Sequence, residues 1–255
     1  MLLCLDAGNS QVFGGVFRGD ELLVQFRRTS QTNSSSDELG VFFRSVLREN
    51  NVNPDLISKV AICCVVPDLL YSLRACCQKY FGLNPLILRP GIKTGLKIQY
   101  LNPKEVGADR IADAVGAITM FPNRNLIVAD FGTATTYDVI NKEKQFIGGA
   151  IAPGIDISAN YLIKKAALLK HTVLELPKNI IGKNTKTNIQ SGVMYSAIFS
   201  IEGMIQNIIK EINAETDVIL TGGFSKLISP KLAFPHFLNP NLTLNGIQII
   251  YRENQ

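Results

Sequence analysis

Two short stretches carry residue types suited to phosphate chemistry. "LDAGNS" ends an apolar run at Asp6 and follows it with Gly8, Asn9 and Ser10; "ADFGTATT" repeats the arrangement with Asp130, Gly132, Thr133 and Thr135. A glycine lets the backbone approach a ligand closely, and successive amides with nearby hydroxyls make an anion cradle. A carboxylate repels phosphate unless a cation such as Mg²⁺ bridges the two, directly or through water, so each acid points to a metal–polyphosphate complex. Either stretch alone is equally an ordinary Asp-Gly turn after a strand. Two in matching positions favour the phosphate reading. "IIGKNT" lacks the earlier glycine of a P-loop, and no G-x-G-x-x-G follows the first apolar run.

Transfer of a phosphoryl group also needs a residue that orients and deprotonates the acceptor hydroxyl. "GADR" offers Gly107 for close approach, Asp109 as base and Arg110 as a planar fork for a carboxylate or phosphate. The plain alternative is a surface Asp-Arg pair at a helix start, with Asp113 one turn later extending an acidic face. "TGG" at 221–223, with Gly222 at its centre, could bound a nucleotide base or ribose. "GGAIAPG" at 148–154 could lie against a ligand or simply make a tight strand-to-helix connection.

These residues need strands and helices to hold them. Apolar runs predict strands at 2–5, 12–17, 22–26, 60–66 and 85–90, the second and third forming a hairpin around "RGDE". A helix is expected over 37–49, where Ser35 and Glu38 have capping-box spacing. Another runs from Pro67 until Gly82 ends it. Asn102 and Pro103 suit the cap and first turn of a helix that carries Ile111, Ala112, Val115 and Ile118 at helical spacing. The second half repeats the order: a strand at 126–129, a hairpin from 135–140 to 145–147 around "NKEK", helices over 155–169 and 188–212, and a strand at 217–221. "GIQIIY" reads as a last strand. Strands alternating with helices make this an α/β protein. The shared strand, Asp-x-Gly turn and hairpin suggest an internal duplication, with halves at 1–120 and 121–255 and the two turns facing each other across a cleft.

Composition narrows the function classes. The 255 residues are 46% hydrophobic and 18% charged, enough apolar material for a large core. The net charge of +5 is spread along the chain, which argues against a nucleic-acid footprint. No apolar run reaches the roughly 18 residues of a membrane span. Cys4, Cys63, Cys64, Cys76 and Cys77 lack metal-site spacing, and there are only two histidines, His171 and His236. An odd number of cysteines without a secretory leader points to free thiols and a cytoplasmic protein.

The motifs taken in order resemble type III pantothenate kinase, of the actin-like and sugar-kinase superfamily. They are "DAGNS", "VVP" ending at Pro67, "GADR", "DFGTATT", "GGAIAPG", "GKNT" at Gly182, "QSG" at Gln190 and "TGG". The resemblance implies two ribonuclease-H-like halves, a homodimer, and ATP-dependent phosphorylation of pantothenate, the first step toward coenzyme A. It implies phosphate binding by Asp6, Gly8, Asn9, Ser10, Gly132, Thr133 and Thr135, and a general base at Asp109. It implies pantothenate binding by Tyr100, Gly107 and Arg110, joined by Thr185 from the neighbouring subunit. It also implies a monovalent cation, potassium or ammonium, at Asp130, with Mg²⁺ held mainly by phosphates and water near Asp6. Ser10 stands where threonine is commoner, and Lys183 where arginine is frequent. The basic residue usual shortly after the first turn is missing, since Gln11, Val12 and Phe13 follow. Two other readings share these features: an accessory regulator of transcription without catalysis, and a sugar or acetate kinase of the same superfamily.

Overall fold

The computed structural model describes residues 1–166 and 172–255. In chain order the elements are β1 (Leu2–Ala7), β2 (Gln11–Arg18), β3 (Glu21–Thr29), α1 (Ser36–Glu49), β4 (Lys59–Cys64), α2 (Pro67–Phe81), β5 (Leu86–Ile87) and β6 (Lys97–Ile98). Then come α3 (Ala108–Met120), β7 (Asn125–Phe131), β8 (Ala134–Ile140), β9 (Gln145–Pro153), α4 (Ile155–Lys165) and α5 (Thr185–Ile212). The chain closes with β10 (Thr216–Thr221), α6 (Ser225–Ile228), β11 (Phe237–Leu238) and α7 (Leu242–Glu253). The chain forms two compact units. One contains Met1–Leu96, Tyr100–Met120 and Leu242–Gln255; the other contains Lys97–Gln99 and Phe121–Asn241.

The first unit's sheet has the order β3-β2-β1-β4-β5, with β1 antiparallel to β2 and parallel to β4. The second unit's sheet reads β9-β8-β7-β10-β11 in the same sense, with β6 added beside β9. Its first strand β7 is antiparallel to β8 and parallel to β10. Order and sense therefore repeat strand for strand, which is the ribonuclease-H-like duplication. In both units the central strand is an apolar run buried on both faces, as the parallel core of an α/β sheet requires. An acid stands at its carboxyl end.

Alternation along β1 sets the two faces of the first sheet. Leu3, Leu5 and Ala7 join Val12, Val16, Val60 and Ile62 against Leu39, Phe43 and Leu47 of α1 and Leu69 and Leu73 of α2. Each such buried Val, Leu, Ile or Phe stabilises the fold by roughly 1.5–3 kcal/mol relative to exposure. Leu2, Cys4 and Asp6 point to the opposite face, where α3 and α7 pack on β1 and β4. Ser35 and Glu38 make the expected capping box of α1, and Gly82, at φ +66°, ends α2. In the second unit Ile127, Ala129 and Phe131 of β7 pack with Met194, Ile198, Ile201 and Ile205 of α5.

Three expectations change. "GIQIIY" belongs to helix α7, because Leu242, Leu244, Ile247 and Ile250 form one buried side. Gly246 there allows α7 to press on α3, where a Cβ would strike the Ala112 carbonyl. "GGAIAP" continues β9 and is not a connection: Gly149 lets that strand close against the Tyr137 carbonyl. Asn102 and Pro103 start a separate single 3₁₀ turn, and α3 begins only at Ala108. α4 is helical through Lys165; the expected stretch to residue 169, like His171, lies outside the described residues. No helix among the described residues is long and apolar enough to cross a membrane.

Candidate active site

Both Asp-x-Gly stretches reverse the chain between the first two strands of their sheets. In the first unit Gly8 N donates to the Gln11 carbonyl at 3.0 Å, leaving Asn9 and Ser10 exposed at the tip. Ser30, at the end of β3, holds this turn from behind. Its Oγ donates to the Gly8 carbonyl at 2.6 Å, and its amide to the Ser10 carbonyl at 2.9 Å. In the second unit Gly132 N donates to the Ala134 carbonyl at 3.1 Å, a tighter reversal. A Cβ on Gly154, where β9 passes into α4, would overlap the Thr133 carbonyl, so backbone lies directly on this turn. Thr135 is buried beside it.

Asp6 pairs in register with Phe13 on one side and Cys63 on the other. Burial raises the Cys63 thiol pKa well above its ordinary value, and the nearby carboxylates of Asp6, Asp109 and Asp113 raise it further. The thiol therefore stays neutral beneath a group of acids drawn from β1 and α3. Asp109 lies in the first turn of α3, where its Oδ1 accepts a hydrogen bond from Arg110 N at 2.8 Å. A Cβ on Gly107 would collide with that same carboxylate oxygen. Arg110 is only 8% exposed and Asp113 only 1%, which overturns the picture of a solvated acidic helix face. Asp113 Oδ1 accepts from the Thr243 hydroxyl of α7 at 2.7 Å. The sequence signal for this burial is composition: apart from Arg110 and Asp113 themselves, "RIADAVGA" is small or apolar around the helix, as an enclosed helix must be. Tyr100 is half-buried in the loop before the 3₁₀ turn.

In the second unit the register sets Thr221, Asp130 and Thr136 abreast on three neighbouring strands. The hydroxyls of Thr136 and Thr221 are buried with no hydrogen-bond partner. Such groups are costly to bury unless a ligand or an ordered water satisfies them. Gly222, at φ +88°, has its backbone against Asp130 and 2.5 Å from Phe131 N at the Cβ position, so no larger residue fits. An acid between two such hydroxyls is an all-oxygen donor set, which suits a hard cation. Those two threonine hydroxyls were missed as a pair, because only register brings residues 85 positions apart onto one row.

Thr185 opens α5 and is exposed. Asn184 caps this helix: its side chain accepts from Thr187 N at 2.9 Å, while Lys183 N donates to the Thr187 hydroxyl at 3.0 Å. Gly182 fits tightly on Asn188, so the "GKNT" loop folds onto the helix start and turns Thr185 outward. Among the described residues no group of three or more His, Cys, Asp or Glu could form a protein-only metal cage.

Known proteins share this chain's sequence and fold. The family model described as type III pantothenate kinase matches residues 2–207. A type III pantothenate kinase of Legionella pneumophila (strain Corby) is 49% identical over 251 residues, covering 98% of this chain and 97% of its own. A Baf family protein of Campylobacter jejuni, described as a candidate transcriptional activator, superposes with a TM-score of 0.58 at 21% identity, covering 99% and 98% of the two chains. The Acidaminococcus fermentans (R)-2-hydroxyglutaryl-CoA dehydratase component A follows with a TM-score of 0.54 at 12% identity, covering 100% and 99%. At these identities the two structures share a fold with this chain.

Proposed function

This chain belongs to the type III pantothenate kinase family, and on that premise we propose how its residues divide the work of phosphorylating pantothenate with ATP. Asp109 is the general base. It accepts the proton of the primary hydroxyl as that oxygen attacks the γ-phosphorus and ADP leaves, giving 4'-phosphopantothenate. One observation carries this role: the carboxylate is fixed by the Arg110 amide over a glycine whose missing side chain leaves it room. A carboxylate is a modest base, so its largest contribution is orientation of the nucleophile, with proton transfer late in a loose transition state.

Gly107, Arg110 and Tyr100 hold pantothenate, Arg110 offering its fork to the substrate carboxylate. Asp6, Gly8, Asn9, Ser10, Gly132, Thr133 and Thr135 bind ATP phosphates through their turns. Gly222 lies along the nucleotide. Mg²⁺, which neutralises phosphate charge when bound, fits beside Asp6 as an ion held mostly by phosphates and water, given the lack of a protein-only cage among the described residues. A monovalent cation, potassium or ammonium, fits Asp130 with Thr136 and Thr221, where it supplies fixed positive charge; their unpartnered hydroxyls support that placement.

The assembly is a homodimer in which Thr185 reaches the neighbour's pantothenate site. Support comes from the apolar side chains that the second unit exposes: Ile147 and Ile151 on β9, Ile157 and Tyr161 on α4, and Phe199 on α5. The proposed duplication boundary at residue 120 is supported by the repeated strand order that starts with β7, while α7 packs back with the first unit. Free thiols support a cytoplasmic location, and the scattered charge of +5 supports the absence of a nucleic-acid partner. The deciding experiment is Asp109→Asn in a coupled ADP-release assay. Turnover with pantothenate is expected to fall about 10²- to 10⁴-fold while ATP affinity holds. A variant that turns over normally overturns the assignment.

A further inference from the structure

The first phosphate turn brings an acid to a polyanion, and its own segment contains no base: residues 1–17 have no Lys, Arg or His. The register supplies one from another strand. Asp6 on β1 pairs with Phe13 on β2, and Phe13 pairs with Arg27 on β3, so all three project from the same face. The Arg27 guanidinium does not extend away into solvent. It lies 3.8 Å from the centroid of the Phe13 ring, and its Nη1 donates to Gln11 Oε1 at 3.3 Å. Phe13 is Asp6's immediate neighbour, and Gln11 directly follows Ser10, so the cation is folded back toward the turn. Phe13 is itself buried, which gives the guanidinium a fixed platform while Arg27 remains exposed. Arg28 points to the other face, donating to the Ser34 hydroxyl at 3.0 Å and lying over Phe42. Alternation along β3 thus sends the two neighbouring arginines to opposite faces of the sheet, Arg27 to the face of Asp6.

We propose that Arg27 is a phosphate-binding residue of the kinase, supplying from β3 the positive charge that the Asp6–Ser10 turn lacks. Its platform on Phe13 and its bond to Gln11 orient the fork before ATP arrives. The β- and γ-phosphates, which carry most of the charge, are its targets. The inference rests on the reading that this turn holds ATP phosphates.

The test is calorimetric titration of ATP and of AMP into the full-length protein and its Arg27→Met, Arg27→Gln and Asn9→Asp variants. Arg27→Met is expected to weaken ATP binding roughly 10- to 100-fold and AMP binding far less, with the unfolding midpoint lowered by a few degrees at most as the contacts to Phe13 and Gln11 are lost. The KM for pantothenate stays within about twofold, since the guanidinium belongs to the ATP side. A purely structural role would weaken both nucleotides alike, and that result overturns the proposal. Should Arg27→Met fail to fold, Arg27→Gln, which keeps an amide donor for Gln11, reads the same ratio. Unchanged ATP affinity also overturns the proposal. If Asn9→Asp, which puts a negative charge on the exposed tip, does weaken ATP, the turn reading survives that failure; if it does not, both fall.

Discussion

Reactive groups here are placed by what is missing beside them. Gly107 is the sharpest case, because any Cβ there occupies the space of the Asp109 carboxylate. Gly107→Ala should therefore lower turnover about 10- to 100-fold by shifting the base, with ATP affinity nearly unchanged. Steady-state kinetics with each substrate varied will show this as a fall in kcat without a matching rise in the ATP KM. Thr221 permits the opposite kind of test. Its buried hydroxyl has no partner to lose, so Thr221→Val should leave thermal stability equal or slightly higher. The same variant should need about tenfold more potassium for half-maximal activity, because one oxygen of the cation's donor set is gone. Potassium titration of the assay, beside a melting curve, separates the two effects. A loss of stability with unchanged potassium dependence would remove Thr221 from the cation site.

At the scale of elements, the packing of α3 on α7 decides where Asp109 and Asp113 stand. A Cβ on Gly246 would strike the Ala112 carbonyl, and one on Gly116 would come within 2.9 Å of the Leu242 carbonyl. Gly246→Ala must push the helices apart and should cost about 1–3 kcal/mol, measured by denaturant unfolding. This is also where the sequence was least legible. "GIQIIY" has the β-branched content of a strand, and only the partner helix reveals that its apolar residues share a helical side. By contrast, α1 and α2 were readable to within a residue, because Ser35, Glu38, Pro67 and Gly82 act locally. The site divides in the same way. The two Asp-x-Gly turns are contiguous words and could be read directly. Ser30 behind Gly8, Thr243 on Asp113, and the row of Thr221, Asp130 and Thr136 depend on strand register and helix contact, which no local pattern encodes.

For the whole molecule, the proposed dimer makes each pantothenate site a product of two chains. Asp109→Asn and Thr185→Val proteins, mixed after mild unfolding and refolding, should recover about a quarter of wild-type activity. Half the random pairs are mixed, and each of those keeps one site with both residues intact. If Thr185 served its own chain, every site in the mixture would keep one defect and nothing would be recovered. Duplication, finally, has not left two separable modules. The chain leaves the first unit for only Lys97–Gln99, returns, departs again at Phe121 and comes back at Leu242 to add α7. The second unit is thus a guest threaded through its host in two visits. A chimaera exchanging residues 121–241 between relatives would transplant the guest without the edge strand β6 that completes its sheet. A cut after residue 120 would strip the host of the helix that braces Asp113. Any grafting of one relative's second unit onto another's first has to carry β6 with the one and α7 with the other.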